Sequence, residues 1–316
     1  MTPTRTFDPG RLDALLAART PTVAWGDAPT GCTLWLKQEY QLASGSTKDR
    51  LASHVLSRAV GDGRVHPGTT VVEASSGSTS IAFAMACAAL GVRFVAVLPE
   101  GVSNERLLII RRYGGEWALV PAAGGMPGAI AESERMAAAD PDVFLPRQFT
   151  NPDNAEAHEL RTGPELVAAL ADAGARIDGF VASVGTAGTL MGVGRVVRRV
   201  NPAAAVARVV VAGESLDAEQ GGPACLGIPG VVDCLSGLLD EGELGGHPPL
   251  AVSRAEAMDA TRELARAGFP VGPSSGLNVA GARVLARELG PGHHVATVLC
   301  DRMERYFSTD LFDDLR

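Results

Sequence analysis

The chain has no long apolar run, no excess of basic residues and no leader-like amino terminus, and each absence excludes a class of protein. Its longest apolar stretches fall short of the roughly 18 residues that a transmembrane helix needs. The formal net charge is −8 at pH 7, and no Lys/Arg run supplies the basic patch of a nucleic-acid-binding protein. The amino terminus lacks the pattern of a signal peptide, so the sequence predicts a cytoplasmic protein.

Cysteine and histidine are also scarce and show no spacing typical of a metal site. The five cysteines are scattered and include no C-x-x-C pair, which predicts reduced, buried thiols rather than disulfides. The six histidines do not have the spacing of metal ligands. No metal centre is therefore predicted.

Lysine is the scarcest charged residue. Of 28 basic residues only Lys37 and Lys48 are lysines. An amine can lose its proton and form an imine, whereas a guanidinium cannot, so a lysine retained in an arginine-rich chain is a candidate for covalent chemistry. Lys37 lies in an alternating, strand-like run and is explained well by surface charge. Lys48 lies at the start of a predicted helix, where the positive end of the helix dipole disfavours its charge.

Short β-branched runs alternate with helical patterns along the chain, which predicts an α/β protein with parallel sheets and helices on both faces. Predicted strands cover 70–72, 92–98, 117–120, 179–183, 208–212 and 295–300. Predicted helices cover 51–60, 79–90, 103–112, 126–138, 189–200 and 276–289, and a capping box at 253–256 opens another that runs to Ala267. The segment 214–249 is glycine-rich and irregular.

Three turns rich in Ser, Gly or Thr each join a predicted strand to a predicted helix. Ser75–Thr79, which we call the carboxylate turn, offers hydroxyls and backbone N–H groups to a small anion. Gly185–Thr189, which we call the phosphate loop, can hold a phosphate without any basic residue, although it matches neither a P-loop nor a G-x-G-x-x-G fingerprint. The third turn is Pro273-Ser274-Ser275-Gly276. Taken singly, each turn is also explained by helix capping.

Taken in order, these motifs resemble the fold-type II pyridoxal-phosphate enzymes, specifically the cysteine synthase and cystathionine β-synthase family. The resemblance runs from Arg19 to Phe312, nearly the whole chain. It rests on segments that follow one another as in that family: 44–50 around Lys48, 75–79, 124–130, 148–152, 156–158, 185–189 and 304–306.

The resemblance implies an α/β fold like that of the tryptophan synthase β subunit, with two domains. The smaller, carboxylate-binding domain is expected to cover 51–150, and the larger, phosphate-binding domain 1–50 plus 151–316. It further implies pyridoxal 5'-phosphate as the cofactor, a small amino-acid substrate with a small nucleophile as second reactant, and a homodimer without nucleic-acid or membrane partners.

The resemblance also implies a role for each site residue. Lys48 would form the Schiff base and carry the catalytic proton transfers. The expected cofactor-binding residues are Lys48, Ser78, Gly185, Thr186, Ala187, Gly188, Thr189 and, at the pyridine nitrogen, Ser274. The expected substrate-carboxylate ligands are Ser75, Ser76, Gly77, Thr79 and Gln148.

The implied reaction is β-replacement on an O-activated L-serine (O-acetylserine or O-phosphoserine) through an aminoacrylate intermediate, giving cysteine or a related β-substituted alanine. The alternative is β-elimination, as in a cysteine desulfhydrase or a serine/threonine dehydratase. A non-catalytic binding protein with the same fold is the third reading, and intact Lys48 argues against it. The sequence does not name the donor or the nucleophile.

Four sites depart from the family pattern. Ser78 stands where the family usually has Asn, Ser80 where it usually has Gly, Arg302-Met303 where it usually has Thr/Ser-Gly, and Ser44-Gly45 where it usually has a Gly pair. Several changes around one site predict an altered specificity, with Ser78 leaving room for a bulkier donor or nucleophile.

Overall fold

The computed structural model describes residues 6–27, 29–75, 77–212, 228–232 and 235–315. The chain divides into two compact units. The first unit comprises Met1–Ala18, Lys48–Asn151 and Arg305–Arg316, and the second comprises Arg19–Thr47 and Pro152–Glu304. The assignment of a carboxylate-binding and a phosphate-binding role to separate domains stays a prediction.

The described residues form ten strands and ten α-helices. The strands are β1 (Thr22–Asp27), β2 (Cys32–Lys37), β3 (Thr70–Ala74), β4 (Arg93–Pro99), β5 (Glu116–Val120), β6 (Val143–Phe144), β7 (Gly179–Ser183), β8 (Ala205–Val211), β9 (Leu250–Val252) and β10 (His294–Val298). The helices are α1 (Gly10–Ala17), α2 (Lys48–Gly61), α3 (Ser78–Leu90), α4 (Asn104–Arg112), α5 (Gly125–Ala139), α6 (Asp153–Ala157), α7 (Gly163–Asp172), α8 (Gly188–Val200), α9 (Arg254–Arg266) and α10 (Pro273–Leu289).

The first unit is built on a four-stranded parallel sheet in the order β5-β4-β3-β6. Because side chains alternate along a strand, neighbouring residues of β3 enter different cores. Val71 packs in a cluster with Leu51 of α2 and Ile81 of α3, whereas Val72 packs in a cluster with Ala129 of α5. Helices therefore cover both faces of this sheet, and β3 is buried over its whole length.

The second unit is built on a six-stranded sheet in the order β1-β2-β10-β7-β8-β9. Only the β1–β2 pair is antiparallel among these strands. Phe180 of β7 packs in a cluster with Leu166 of α7 and Leu190 of α8. On α10, a Cβ added to Gly281 would lie 2.7 Å from the Cβ of Val209, so that helix approaches the sheet too closely for a side chain.

The predicted α/β class and the predicted parallel sheets are confirmed. The capping box is also confirmed, because the Ser253 hydroxyl accepts the N–H of Glu256 at 3.2 Å. The helix predicted from Gly276 begins earlier, at Pro273. Much of the irregular segment predicted at 214–249 lies outside the described residues, as do Cys225 and Cys234, whereas Cys32, Cys87 and Cys300 are free thiols. No helix in the described ranges is both long and apolar enough to cross a membrane.

Candidate active site

Lys48 is the first residue of α2, and the segment before it is a tight turn. Gly45 has a φ of +85°, a left-handed conformation that glycine adopts without the clash a Cβ brings, and its N–H donates to Leu42 O at 2.8 Å. Arg302 holds this turn twice, through its backbone N–H to Gly45 O at 3.2 Å and through Nε to Tyr40 O at 3.0 Å. The departure from the family at Arg302 thus adds a side-chain contact to the segment that leads to Lys48.

Lys37 is fully buried, so the expectation of a surface charge is wrong. Its Nζ lies 2.7 Å from Glu165 Oε2 and donates to Thr20 O at 2.6 Å. A charge removed from water must be paired, and Glu165 supplies the pair. The two lysines therefore have different environments: Lys37 belongs to a buried ion pair, and Lys48 starts a helix.

The carboxylate turn joins β3 to α3, and its hydroxyls bind its own backbone. Ser75 Oγ accepts the N–H of Gly77 at 3.3 Å, and Ser80 Oγ donates to Ser75 O at 2.6 Å. Gly77 is the N-cap of α3, with φ of −144°. Ser80, a departure from the family pattern, thus closes the turn with an added hydrogen bond. Ser76 lies outside the described residues.

Gln148 lies beside the carboxylate turn although 69 residues separate it from Thr79. Thr79 Oγ1 donates to Gln148 Oε1 at 2.6 Å, and Gln148 Nε2 donates to Ala74 O at 2.7 Å. The structure therefore brings together Ser75, Thr79 and Gln148, three of the predicted carboxylate ligands. An amide nitrogen carries two N–H bonds, and Ala74 O accepts one of them.

Glu73 is a buried carboxyl in β3, two residues before the turn, and the sequence analysis missed it. Its Oε2 accepts the backbone N–H of Gln148 at 3.2 Å. Burial raises the pKa of Glu73 to about 8, although hydrogen bonds from backbone N–H groups and the charge of Arg147 act in the opposite direction. The signal in the sequence is one carboxyl inside an otherwise apolar strand that leads into a polar turn.

The phosphate loop joins β7 to α8, and its shape requires that Gly185 and Gly188 carry no side chain. Ala187 has φ of 64° and is the N-cap of α8. A Cβ on Gly185 would lie 2.5 Å from Gly230 O, and a Cβ on Gly188 would lie 2.0 Å from Asn154 Oδ1. The first N–H groups of a helix have no partner within the helix and attract an anion. The loop therefore packs directly against Gly230 and Asn154, and α8 begins without a side-chain cap on its first N–H groups.

Two buried side chains hold the hydroxyls of the phosphate loop. Asn154 Nδ2 donates to Thr186 Oγ1 at 2.8 Å, and His158 Nε2 lies 3.3 Å from Thr189 Oγ1. The other ring nitrogen of His158 lies 2.8 Å from Thr162 Oγ1, at the far end of a single π-helical turn, His158–Thr162. Because Thr186 Oγ1 accepts from Asn154, its own hydrogen is directed elsewhere.

The sequence analysis assigned no role to Asn154 or His158. They are four residues apart, a spacing that places two side chains on the same face of a helix. This spacing was the available signal, but it does not identify which hydroxyls the two side chains contact.

Ser274 is the second residue of α10, and the start of that helix is fastened to the sheet of the second unit. Cys300 N–H donates to Ser275 Oγ at 2.8 Å. Asn278 accepts the N–H of Ser183 at 2.7 Å and donates to Val298 O at 2.8 Å. Ser183 ends β7 and Val298 ends β10, so Ser274 and the phosphate loop both lie at the carboxyl ends of parallel strands, the edge where such sheets bind ligands.

Comparison with known proteins places the chain beside enzymes of amino-acid chemistry. Residues 14–301 match a family model described as "Pyridoxal-phosphate dependent enzyme". A cysteine synthase of Staphylococcus aureus (strain Mu50 / ATCC 700699) is 38% identical over 291 residues, which cover 89% of this chain and 90% of the relative.

Two solved structures of enzymes are similar to this chain over nearly its whole length. A crystal structure of O-ureido-L-serine synthase has a TM-score of 0.86 and 35% identity, covering 97% of this chain and 95% of that chain. A hydrogen sulfide-producing enzyme from Fusobacterium nucleatum has a TM-score of 0.87 and 31% identity, covering 96% of this chain and 92% of that chain. A mutant form of such a hydrogen sulfide-producing enzyme has been solved in complex with an α-aminoacrylate intermediate.

Proposed function

Because this chain belongs to the pyridoxal-phosphate-dependent enzymes of fold type II, in the cysteine synthase and cystathionine β-synthase family, we propose that its substrate is an O-activated L-serine. It is a cysteine synthase-like enzyme with pyridoxal phosphate as its cofactor. The proposed reaction replaces the activated hydroxyl of O-acetylserine or O-phosphoserine with a small nucleophile. The observation that carries this proposal is the carboxylate turn, where Thr79 and Gln148 are joined by a hydrogen bond beside Ser75.

The phosphate loop fits the phosphate of the cofactor, because it leads into α8, whose N-cap Ala187 makes no side-chain capping bond and whose first N–H groups attract an anion. The residues proposed to hold the cofactor are Lys48, Ser78, Ser274 and the phosphate loop. When bound, pyridoxal phosphate supplies an electron sink that makes the α-hydrogen of an amino acid acidic.

The chain's own residues then have separate tasks. The carboxylate turn and Gln148 bind the substrate carboxylate and so fix the position of Cα. The amine of Lys48 takes the proton from Cα and later returns it there. With the cofactor bound, Ser274 would offer a neutral hydroxyl to its pyridine nitrogen. A carboxylate at this place would keep the nitrogen protonated, whereas a hydroxyl polarises the ring less. The weaker polarisation would favour loss of the group on Cβ over transamination.

Net β-elimination is the second candidate, and the likeness to a hydrogen sulfide-producing enzyme favours it. It breaks the same bond at Cβ but releases pyruvate and ammonia instead of a new amino acid. The two-domain division of roles and the homodimer remain predictions.

The purified enzyme tests these two candidates when O-acetylserine, O-phosphoserine, serine and cysteine are supplied separately, each with and without sulfide. β-Replacement gives cysteine from an O-activated serine and sulfide, with little pyruvate. If the yield of pyruvate stays the same when sulfide is added, elimination is favoured instead.

Lys48→Ala should abolish turnover, because Lys48 is proposed to hold the cofactor covalently and to move the Cα proton. Borohydride reduction of the wild-type enzyme followed by peptide mapping should place the pyridoxyl label on Lys48. A label on Lys37 would contradict the assignment. Lys37→Ala is not a suitable activity control, since it leaves Glu165 without its buried ion-pair partner, a change that costs about 3–5 kcal/mol.

A further inference from the structure

We propose that Glu73 is a positioning residue for the carboxylate turn: its buried carboxyl fixes Gln148 and thereby controls how tightly the turn binds a carboxylate. The proposal rests on the proposed function only in taking this turn as the place where a substrate carboxylate binds. Glu73 is 4% exposed, and it touches the turn through Gln148 rather than directly.

Hydrogen bonds to Glu73, Ala74 and Thr79 hold Gln148 beside the end of β3. Its backbone N–H donates to Glu73 Oε2 at 3.2 Å, its Nε2 donates to Ala74 O at 2.7 Å, and its Oε1 accepts from Thr79 Oγ1 at 2.6 Å. These contacts fix the amide plane, and with it the direction of the Nε2 donor. Removal of the Glu73 contact would release the backbone that carries this donor.

Arg147, which precedes Gln148, shows that this backbone is held in an unfavourable conformation. Its φ is +55°, which is rare for a residue with a side chain. Its guanidinium binds Glu134 of α5 through two contacts of 2.8 Å. Non-glycine residues in this region persist where the surroundings over-determine them. Arg147 is thus fixed by its ion pair, and Gln148 by Glu73.

The charge state of Glu73 also affects how tightly the turn binds a carboxylate. A neutral carboxyl still accepts an N–H through its carbonyl oxygen, and it adds no negative charge near a bound carboxylate. An ionised Glu73 would repel that carboxylate, and burial strengthens such a repulsion. The pKa of about 8, raised by burial, keeps the group neutral at pH 7 and allows it to ionise in mildly alkaline solution.

On the other strands of this sheet and on α5, the charged groups are already paired. On α5, Glu134 pairs with Arg147, and Glu132 pairs with Arg135. Arg93 begins β4 opposite Thr70 and pairs with Glu116 of β5. β6 has no charged residue, and on α3 Cys87 is the only titratable side chain. Glu73 is therefore the carboxyl next to the turn whose charge changes between pH 7 and 9.5. The Cys87 thiol is present in both wild type and Glu73→Gln, so it contributes equally to the two proteins.

The test measures the binding of propionate to the cofactor-loaded enzyme by calorimetry between pH 6.5 and 9.5. Propionate has a carboxylate but no amine, so its own charge is constant over this range. We expect its Kd for wild type to rise about tenfold more between pH 7 and 9.5 than its Kd for Glu73→Gln. At pH 7 the two proteins should bind propionate within about threefold, because Gln keeps the acceptor oxygen.

Two further variants separate positioning from general structural effects. Glu73→Ala should raise the Kd about tenfold at every pH, because it removes the acceptor of the Gln148 N–H. Glu116→Gln removes an exposed, arginine-paired carboxylate from the same sheet and should follow wild type. An equal pH dependence in wild type and Glu73→Gln would overturn the proposal, as would failure of wild type to bind propionate at pH 7.

Thermal unfolding across pH is a second measurement. The folded-state pKa of Glu73, about 8, lies above the ordinary value of 4.5. The contribution of this carboxyl to the free energy of unfolding is therefore complete below pH 4.5 and is lost as the pH rises to about 8. Glu73→Gln should therefore gain stability relative to wild type over that interval. Neither measurement requires turnover, so failure of the enzyme to use any serine donor would refute the proposed function without deciding the role of Glu73.

Discussion

The carboxylate turn and the phosphate loop both join a parallel strand to the start of a helix, but they are built in different ways. The phosphate loop depends on missing side chains, since a Cβ on Gly188 would lie 2.0 Å from Asn154 Oδ1. The carboxylate turn has room at its one glycine, since a Cβ on Gly77 would meet nothing within 4 Å. It is closed by side chains instead, with Ser80 on its own carbonyl and Gln148 on Thr79.

The difference corresponds to what each turn is proposed to bind. A cofactor stays bound through every turnover, so a fixed cradle of backbone donors, braced by Asn154 and His158, suits it. A substrate carboxylate must bind and leave in each cycle. Hydroxyl and amide groups suit that task, because their hydrogen bonds within the protein can be exchanged for bonds to a ligand.

The largest effect is expected from the matched pair Gly188→Ala and Gly77→Ala. The new methyl at position 188 would overlap the buried amide of Asn154, and overpacking of this kind costs about 3 kcal/mol at its upper end, or roughly a hundredfold in cofactor affinity. Cofactor content after dialysis measures this loss. Gly77→Ala should keep a full complement of cofactor and alter only the KM for the amino acid. Equal cofactor loss in both variants would remove the contrast between the two turns.

An intermediate effect is expected from Thr186→Val and Thr79→Val, which each remove one hydroxyl. Thr186→Val removes a proposed donor to the phosphate, a charge-assisted bond of about 2 kcal/mol, and should weaken cofactor binding roughly thirtyfold. Dialysis against free phosphate measures the rate of cofactor loss. Thr79→Val removes the bond to Gln148 and should raise the KM while the cofactor stays bound. Faster cofactor loss from Thr79→Val than from Thr186→Val would reverse the assignments.

The smallest effect is expected from Ser80→Ala. The change removes one buried hydrogen bond, from Ser80 Oγ to Ser75 O, and a typical bond of this kind contributes about 1 kcal/mol. Chemical denaturation should show a loss of this size, with at most a fewfold rise in KM for the amino acid. Ser133→Ala is a matched control, because Ser133 makes the same kind of hydroxyl-to-carbonyl bond, to Ile130 O within α5. If Ser133→Ala changes the KM as much as Ser80→Ala does, Ser80 has no special effect on the turn.

Local patterns in the sequence predicted most strands and helices and the positions of the Ser- and Gly-rich turns, but they missed β1, β6, β9, α1, α6 and α7. The contacts that complete the site lie between distant residues, and local pattern does not encode them. Lys37 illustrates the limit: its alternating strand suggested an exposed charge, but its partner Glu165 is 128 residues away. Glu73 was missed for the same reason, since its role depends on Gln148, 75 residues further along the chain.

The buried pair of Lys37 and Glu165 makes this protein simple to label chemically. Reagents that acylate amines need access to a neutral amine, and Lys37 is fully buried and ion-paired. Lys48, the other lysine of the chain, is half-buried, so acylation of a lysine side chain should favour it. Under the proposed role of Lys48, covalent attachment of the cofactor blocks its amine. The acylated fraction of the Lys48 peptide would therefore equal the fraction of enzyme molecules that lack the cofactor.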